Sequence, residues 1–164
     1  MLMVILQVSN MNWFIKISEN KFDSINYLIT FVTHKNTNTM TKLEIIQKVL
    51  VETYGAKPSL RARNKDNNGC LYTTEDGKRC AVGMCMTKKS QLEVGDYFGG
   101  VMGLSEKFSN DKDIDRLLQK KYHGHNLDFW KDMQYFHDNG DCFTETGLSK
   151  IGETRIELLK SKYK

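Results

Sequence analysis

The stretch GCLYTTEDGKRCAVGMC, residues 69–85, contains three of the four cysteines of the chain and one obvious turn. Asp76-Gly77 is a dipeptide typical of tight β-hairpin turns, and apolar residues stand on both sides of it. The stretch therefore predicts a β-hairpin in the middle of the chain. Its cysteines have three interpretations: ligands of a metal ion, a reactive thiol, or small side chains buried in the hairpin.

The length of the turn determines which cysteines of this hairpin share a face. With a two-residue loop Thr73 lies opposite Cys80, and Cys70 then points to the other side because side chains alternate along a strand. A three-residue loop with a glycine bulge shifts the pairing by one residue and brings Cys70 and Cys80 to one face. A site that uses both cysteines therefore requires the bulged turn.

The cysteine spacing does not favour a metal site. Zinc sites usually have two close pairs of ligands, whereas nine and four residues separate the cysteines here. Small buried cysteines are common without a metal, so we predict no cofactor. If a metal is bound, zinc is the candidate, with Cys70, Cys80 and His137 as its ligands.

A catalytic hypothesis can be built on Cys80. Lys78 and Arg79 precede it, and neighbouring cations favour a thiolate. His137 is the candidate base, followed by Asp138, although adjacent residues of a helix project about 100° apart, which places Asp138 poorly for orienting the imidazole. The competing interpretation is a core histidine on the apolar stripe that contains Trp130, with the cysteines buried in the hairpin.

Positive charge is concentrated around the predicted hairpin. Between residues 57 and 89 there are eight basic and three acidic side chains, whereas the whole chain carries a net charge of +4. Such a surface suits a phosphate or an acidic partner, and its other interpretation is a solvated face. The candidate binding residues are Arg61, Arg63, Lys65, Lys78, Arg79, Lys88 and Lys89.

The composition is that of a globular protein in a reducing compartment. The chain has 164 residues, of which 40% are hydrophobic and 27% charged. Four widely spaced cysteines do not form a dense disulfide framework. The apolar start has no basic leader or cleavage site, and its apolar run is far shorter than the roughly 20 residues that span a bilayer. We expect a cytoplasmic protein without membrane contact.

The predicted fold class is α+β: a helix-dominated single domain with a central β-hairpin and an N-terminal hairpin. An N-terminal extension, residues 1–39, comprises a hairpin about residues 9–12 and a helix over 20–34. Thr41, with Glu44 three residues later, has the capping-box spacing and begins a new helix. Residues 40–164 therefore form the cysteine-hairpin domain, with further helices at 110–122, 126–138 and 144–164.

Three motifs in order resemble a family of small proteins of bacteriophages and their bacterial hosts. NGCLYTTEDGKRCAVGMCM resembles its Gly-Cys-x-Tyr, charged turn and Cys-Ala-Val/Ile-Gly-Cys-Leu-Ile-Pro. VMGLS is similar to its Met-Glu-Gly-Leu-Ser, and FWKDMQYFHD to its closing Leu-Gln-x-x-His-Asp helix. The chain departs from the pattern at Met84-Cys85, which puts a fixed role of Cys85 in doubt. The matched positions are Cys70, Tyr72, Cys80, Ala81, Gly83, Gln134, His137 and Asp138.

The resemblance implies provenance and motif positions, together with a cluster of Cys70, Cys80, His137 and Asp138, but no established activity. We therefore expect a phage-type accessory protein that binds and modulates a host protein or complex. One alternative is a cysteine-dependent hydrolase or transferase that uses Cys80 and His137. The second is a nucleic-acid-binding regulator that uses the basic segment 57–89.

Overall fold

The structure is a computed structural model. It describes residues 39–63, 71–109 and 111–164 with their side chains, and before residue 39 only the backbones of three strands. The chain divides into two compact units, Met1–Asn38 and Thr39–Lys164.

The first unit contains the strands β1 (Leu2–Val8), β2 (Met11–Ile17) and β3 (Thr30–His34), which pair antiparallel in that order. The side chains of this unit lie outside the described residues, and so does the backbone over 18–29. The helix predicted over 20–34 is wrong over its last five residues, which form strand β3, and its first ten lie outside the described residues. The hairpin predicted about residues 9–12 carries no argument below. That residues 1–39 form a separable extension stays a prediction.

The second unit is built from helices joined by short 3-10 turns. Helix α1 (Lys42–Ile45) continues without interruption as a π-helix over Ile46–Gly55. The other helices are α2 (Lys88–Val94), α3 (Val101–Phe108), α4 (Leu127–Asp138) and α5 (Lys150–Lys162). The 3-10 turns are Pro58–Leu60, Gly83–Cys85, Asp115–Leu117, Lys120–Tyr122 and Gly140–Cys142.

Side-chain caps define where the main helices begin. The predicted capping box is confirmed: the Glu44 N–H donates to Thr41 Oγ1 at 3.2 Å, and the Thr41 N–H donates to Glu44 Oε2 at 2.6 Å. Asn126 caps α4 in the same way by accepting from the Phe129 N–H. These bonds satisfy donors that the first turn of a helix leaves without partners.

One core holds the second unit together. This core contains Ile46, Leu50 and Tyr54 of the first helix, Trp130 and Met133 of α4, and residues of the segment 80–86. Trp130 and Phe129 pack edge to face with ring centroids 5.0 Å apart, and Phe129 also contacts Tyr163 at the end of α5. Burial of these rings ties α4 to the C-terminal helix.

The predicted fold class is wrong, because the central β-hairpin does not form. From residue 39 onward the described residues are helical or irregular, with isolated β-bridges instead of strands. Around the Asp76-Gly77 turn there is one isolated bridge, between Thr73 and Arg79, flanked by bonds from the Thr74 N–H to the Lys78 carbonyl and from the Cys80 N–H to the Tyr72 carbonyl. The pairing goes no further, because Leu71 bridges to Phe98 instead. The unit is helix-dominated, as predicted, but without this sheet element.

Consecutive burial explains why no hairpin forms. Cys80, Ala81 and Val82 are all inaccessible to solvent, whereas a strand with one exposed face would alternate. The chain turns into the core directly after Arg79 and continues as the 3-10 turn Gly83–Cys85. No helix in the described part of the chain is long and apolar enough to cross a membrane.

Candidate functional site

Two backbone segments, residues 60–63 and residue 79, bring three arginines together: Arg61, Arg63 and Arg79. Ala62 is completely buried, so its neighbours Arg61 and Arg63 project to the opposite side of an extended segment. Arg79 runs beside this segment: its N–H donates to the Leu60 carbonyl at 3.3 Å, and its carbonyl accepts from the Ala62 N–H at 3.1 Å. This parallel bridge places Arg79 next to Arg61.

These arginines line an open cleft of about 1330 Å³. Of the predicted binding residues, five contribute to its walls, Lys89 does not, and Lys65 lies outside the described residues. Helix α2 forms one wall with Lys88, Gln91 and Leu92. The basic residues of the cleft are Arg61, Arg63, Lys78, Arg79 and Lys88.

The charge of the cleft changes from one end to the other. The arginine end is half-buried, whereas the turn at the other end exposes Glu75 and Asp76. Lys78 pairs with Asp76 at 2.7 Å, so this lysine is already partly neutralised. The uncompensated positive charge therefore lies at the arginine end.

Arg61 is held in place by the closing residues of α4 and the turn after it. Its Nη2 donates to the carbonyl oxygen of His137, and its guanidinium lies over the ring of Phe143 with 3.9 Å between Cζ and the ring centroid. Burial and, to a smaller extent, the nearby charge of Arg63 together lower the pKa of Arg61 to about 10 against the opposing effect of Asp138. The cation is thus fixed but incompletely compensated.

Two donors of this cluster lack partners. The Nε atoms of Arg61 and Arg79 are buried, and neither has a hydrogen-bond partner within the described ranges. A buried donor without a partner is costly, and native structures rarely retain one unless a ligand or water supplies an acceptor. Both donors belong to arginines that line the cleft, and nothing within the described residues uses them.

His137 is completely buried beneath the arginines and is oriented by its neighbour. Its Nδ1 lies 3.0 Å from Asp138 Oδ1, so the expectation that Asp138 is poorly placed to orient it is wrong. Asp138 ends α4, where the chain leaves helical geometry at Asn139. His137 Nε2 has no hydrogen-bond partner among the described residues.

Tyr54 joins this histidine to the arginine segment. Its ring lies edge-on to the His137 imidazole with 5.1 Å between centroids, and its hydroxyl donates to the Arg79 carbonyl at 2.7 Å. Neither Tyr54 nor Phe143 is a site residue that the sequence singles out. No sequence signal near either residue indicated that it would support an arginine.

The structure does not connect Cys80 with His137. Cys80 is completely buried, its Sγ accepts a hydrogen bond from the Gly83 N–H at 3.3 Å, and no hydrogen bond joins the two described side chains. Cys85 donates to the Ala81 carbonyl at 3.5 Å, and burial raises the pKa of its thiol. The catalytic hypothesis on Cys80, His137 and Asp138 stays a prediction.

The structure describes two of the three predicted zinc ligands, Cys80 and His137. Cys70 lies outside the described residues, and Cys80 and His137 are not hydrogen-bonded to each other. Within residues 39–63, 71–109 and 111–164 no group of three or more His, Cys, Asp or Glu side chains is arranged to hold a metal ion.

Comparisons with known proteins give no match: no family model, no curated protein and no solved structure is similar to this chain. The resemblance to small phage and host proteins therefore stays a prediction.

Proposed function

We propose that this protein acts by binding a partner protein through the basic cleft, as an accessory factor that modulates the partner or its complex. The observation that carries the proposal is the convergence of Arg61, Arg63 and Arg79 with Lys88 on one open cleft. Clustered cations of this kind attract acidic surfaces and raise their rate of association. The predicted phage provenance makes a protein of the bacterial host the expected partner.

The construction of the cleft supports a binding role. Arg61 is fixed by a carbonyl and an aromatic ring, so little side-chain entropy remains to be lost when a ligand docks. Leu92 is 85% exposed on the wall that α2 contributes, which adds an apolar contact next to the charges. An apolar anchor beside cations is typical of protein-binding surfaces.

The test compares capture of host proteins by wild type and by charge variants in a nuclease-treated lysate. R63Q and K88Q remove charges that line the cleft, whereas K89Q removes an exposed charge of the same helix that does not line it. We expect one specific partner to be retained by wild type and K89Q and lost from R63Q and K88Q.

Two results would contradict the proposal. Equal capture by all four proteins would show that the partner uses another surface. Loss of capture after nuclease treatment, with salt-dependent binding of mixed DNA or RNA by the purified protein, would favour the nucleic-acid-binding alternative.

A further inference from the structure

We infer that the arginine end of the cleft, formed by Arg61, Arg63 and Arg79, is a binding site for a phosphate monoester carried by the partner protein. The inference rests on the proposed function and specifies the chemistry of the partner. It identifies a phosphorylated side chain as the group that enters the cleft.

The placement of the donors suits a phosphate group. Arg61 and Arg79 lie side by side on a parallel bridge, and Arg63 projects to the same side as Arg61. Each guanidinium can present Nε and Nη as a planar fork, which matches two oxygens of a phosphate. In Arg61 and in Arg79 the Nε–H has no partner among the described residues, so it can supply one of the two donors of such a fork.

The electrostatics favour a doubly charged ligand over a single carboxylate. Arg61 and Arg63 repel each other, and Asp138 is the carboxylate that opposes this repulsion at Arg61. Asp138 also accepts from His137, so it is not available as a full counter-ion. A phosphate monoester carries about −1.5 to −2 charges at neutral pH and three acceptor oxygens, which can serve three guanidinium groups together.

The other end of the cleft restricts where this charge can bind. Glu75 and Asp76 of the turn line that end, and Asp76 is already paired with Lys78. An anionic group is therefore repelled from the turn and attracted to the arginines. Leu92 lines the same cleft and is largely exposed, so it is free to contact the chain that carries the phosphate.

The experiment measures binding of three probes to the purified full chain by calorimetry and thermal unfolding at constant ionic strength. The probes are inorganic phosphate, a short glycine peptide with a central phosphoserine, and the same peptide with glutamate in its place. We expect the phosphoserine peptide to bind at least about tenfold more tightly than the glutamate peptide. Binding should strengthen between pH 5 and pH 7.5, because the second phosphate pKa is about 6.

R79K is the decisive variant. Lysine keeps the charge but has no planar fork, so R79K should weaken phosphoserine binding about tenfold or more while K89Q leaves it unchanged. The contacts that position residue 79 use its backbone, which R79K retains. R63K serves the same purpose if R79K does not fold, which its thermal unfolding without ligand reveals.

The outcomes separate this inference from the proposed function. Equal binding of the phosphoserine and glutamate peptides, or undiminished binding by the lysine variants, would overturn the phosphate site. If phosphate does not bind but a host protein is still lost from R63Q and K88Q, the inference fails and the proposed function stands. Tighter binding of inorganic phosphate than of the phosphoserine peptide would overturn the assignment to a partner protein.

Discussion

Gly83 approaches the backbone of Tyr72 more closely than any side chain would allow. A Cβ atom at this position would lie 1.8 Å from the Tyr72 carbonyl oxygen, and one at Gly152 would lie 2.1 Å from the carbonyl oxygen of Cys142. Both contacts are with backbone, which cannot rotate away as a flexible side chain can. The sequence motif Cys-Ala-Val-Gly therefore has a structural requirement for glycine that is independent of any role of its cysteine.

The G83A variant should lose most of the stability of the second unit. Relief of the clash requires the 3-10 turn to move away from Tyr72, and we expect a loss of about 3 kcal/mol or more in the free energy of unfolding, measured with urea. G55A is the matched control, because its Cβ would lie 3.4 Å from the Leu148 side chain and 3.5 Å from the Leu50 carbonyl oxygen, both ordinary contacts. Equal stability of the two variants would show that Gly83 is not packed as described.

Burial of Cys80 predicts how its thiol reacts. In the native protein we expect iodoacetamide to leave Cys80 and Cys85 unmodified at neutral pH and to alkylate both after unfolding in urea, as mapped by peptide mass spectrometry. Cys85 should stay unmodified in the native protein at mildly alkaline pH as well, since burial raises the pKa of its thiol. Rapid alkylation of native Cys80 that persists below pH 7 would instead favour the cysteine-enzyme alternative.

Local signals predicted the elements that depend on local interactions. The capping box at Thr41 and Glu44 and the apolar stripe of α4 involve residues three or four apart, and both are found where the sequence indicates them. The predicted central hairpin does not form, because its strands would compete with contacts to distant segments that the spacing of residues in the sequence does not reveal. Arg79 bonds to Leu60 and Ala62, and Leu71 bridges to Phe98.

The helix predicted over 110–122 does not form either, because this segment also bonds to a distant part of the chain. Met86 forms a bridge with Leu118, and the Gln119 N–H donates to the Cys85 carbonyl at 2.9 Å. These bonds to a distant segment replace helical ones, and only the 3-10 turns Asp115–Leu117 and Lys120–Tyr122 remain. The basic cleft was foreseeable as a charge concentration, but its arginine end depends on these tertiary contacts and on Tyr54 and Phe143.

The first helix offers a test of its cap. T41A removes the acceptor for the Glu44 N–H and should destabilise the protein by about 1 kcal/mol, measured by urea unfolding. T154A is the matched control, because Thr154 Oγ1 donates only to the Lys150 carbonyl on the surface of α5. Thr154 caps no helix end, so loss of its hydroxyl should leave the free energy of unfolding nearly unchanged. Similar effects of the two variants would argue against the capping box.

His125 precedes Asn126, the cap of α4, and is bonded to Met40, which precedes Thr41, the cap of the first helix. Titration of this histidine should therefore change the stability of the protein. Its Nε2–H donates to the Met40 carbonyl at 2.9 Å. Burial lowers the pKa of His125, Lys42 lowers it further, and the Met40 bond and Asp115 oppose them. The unfolded chain therefore binds a proton more readily than the native protein, and stability should fall as the pH drops below about 6.5.

H125Q should reduce this acid-side loss of stability, measured as the difference in unfolding free energy between pH 7.5 and pH 5. H123Q is the control, since it removes a histidine of the same turn and leaves the titration of His125 in place. An unchanged pH dependence in H125Q would assign the effect to other groups.

At the scale of the molecule, the described core and the basic cleft both belong to Thr39–Lys164. The beginning of this unit is fixed by backbone bonds as well as by the helix cap. The Met40 N–H donates to the Lys121 carbonyl at 2.7 Å, and the Met40 carbonyl accepts from His125. Through these contacts Met40 and Thr41 attach the start of the first helix to the rest of the unit.

A fragment of residues 39–164 should therefore unfold cooperatively and keep the phosphate response of the cleft. A fragment of residues 42–164 lacks the Met40 bonds and the Thr41 cap, and we expect it to be roughly 2 kcal/mol less stable. Thermal and urea unfolding, followed by the fluorescence of the buried Trp130, compare the two fragments directly. If the longer fragment is unfolded, the division before Thr39 does not correspond to an independent folding unit. If the fragments are equally stable, the contacts of residues 39–41 contribute nothing measurable.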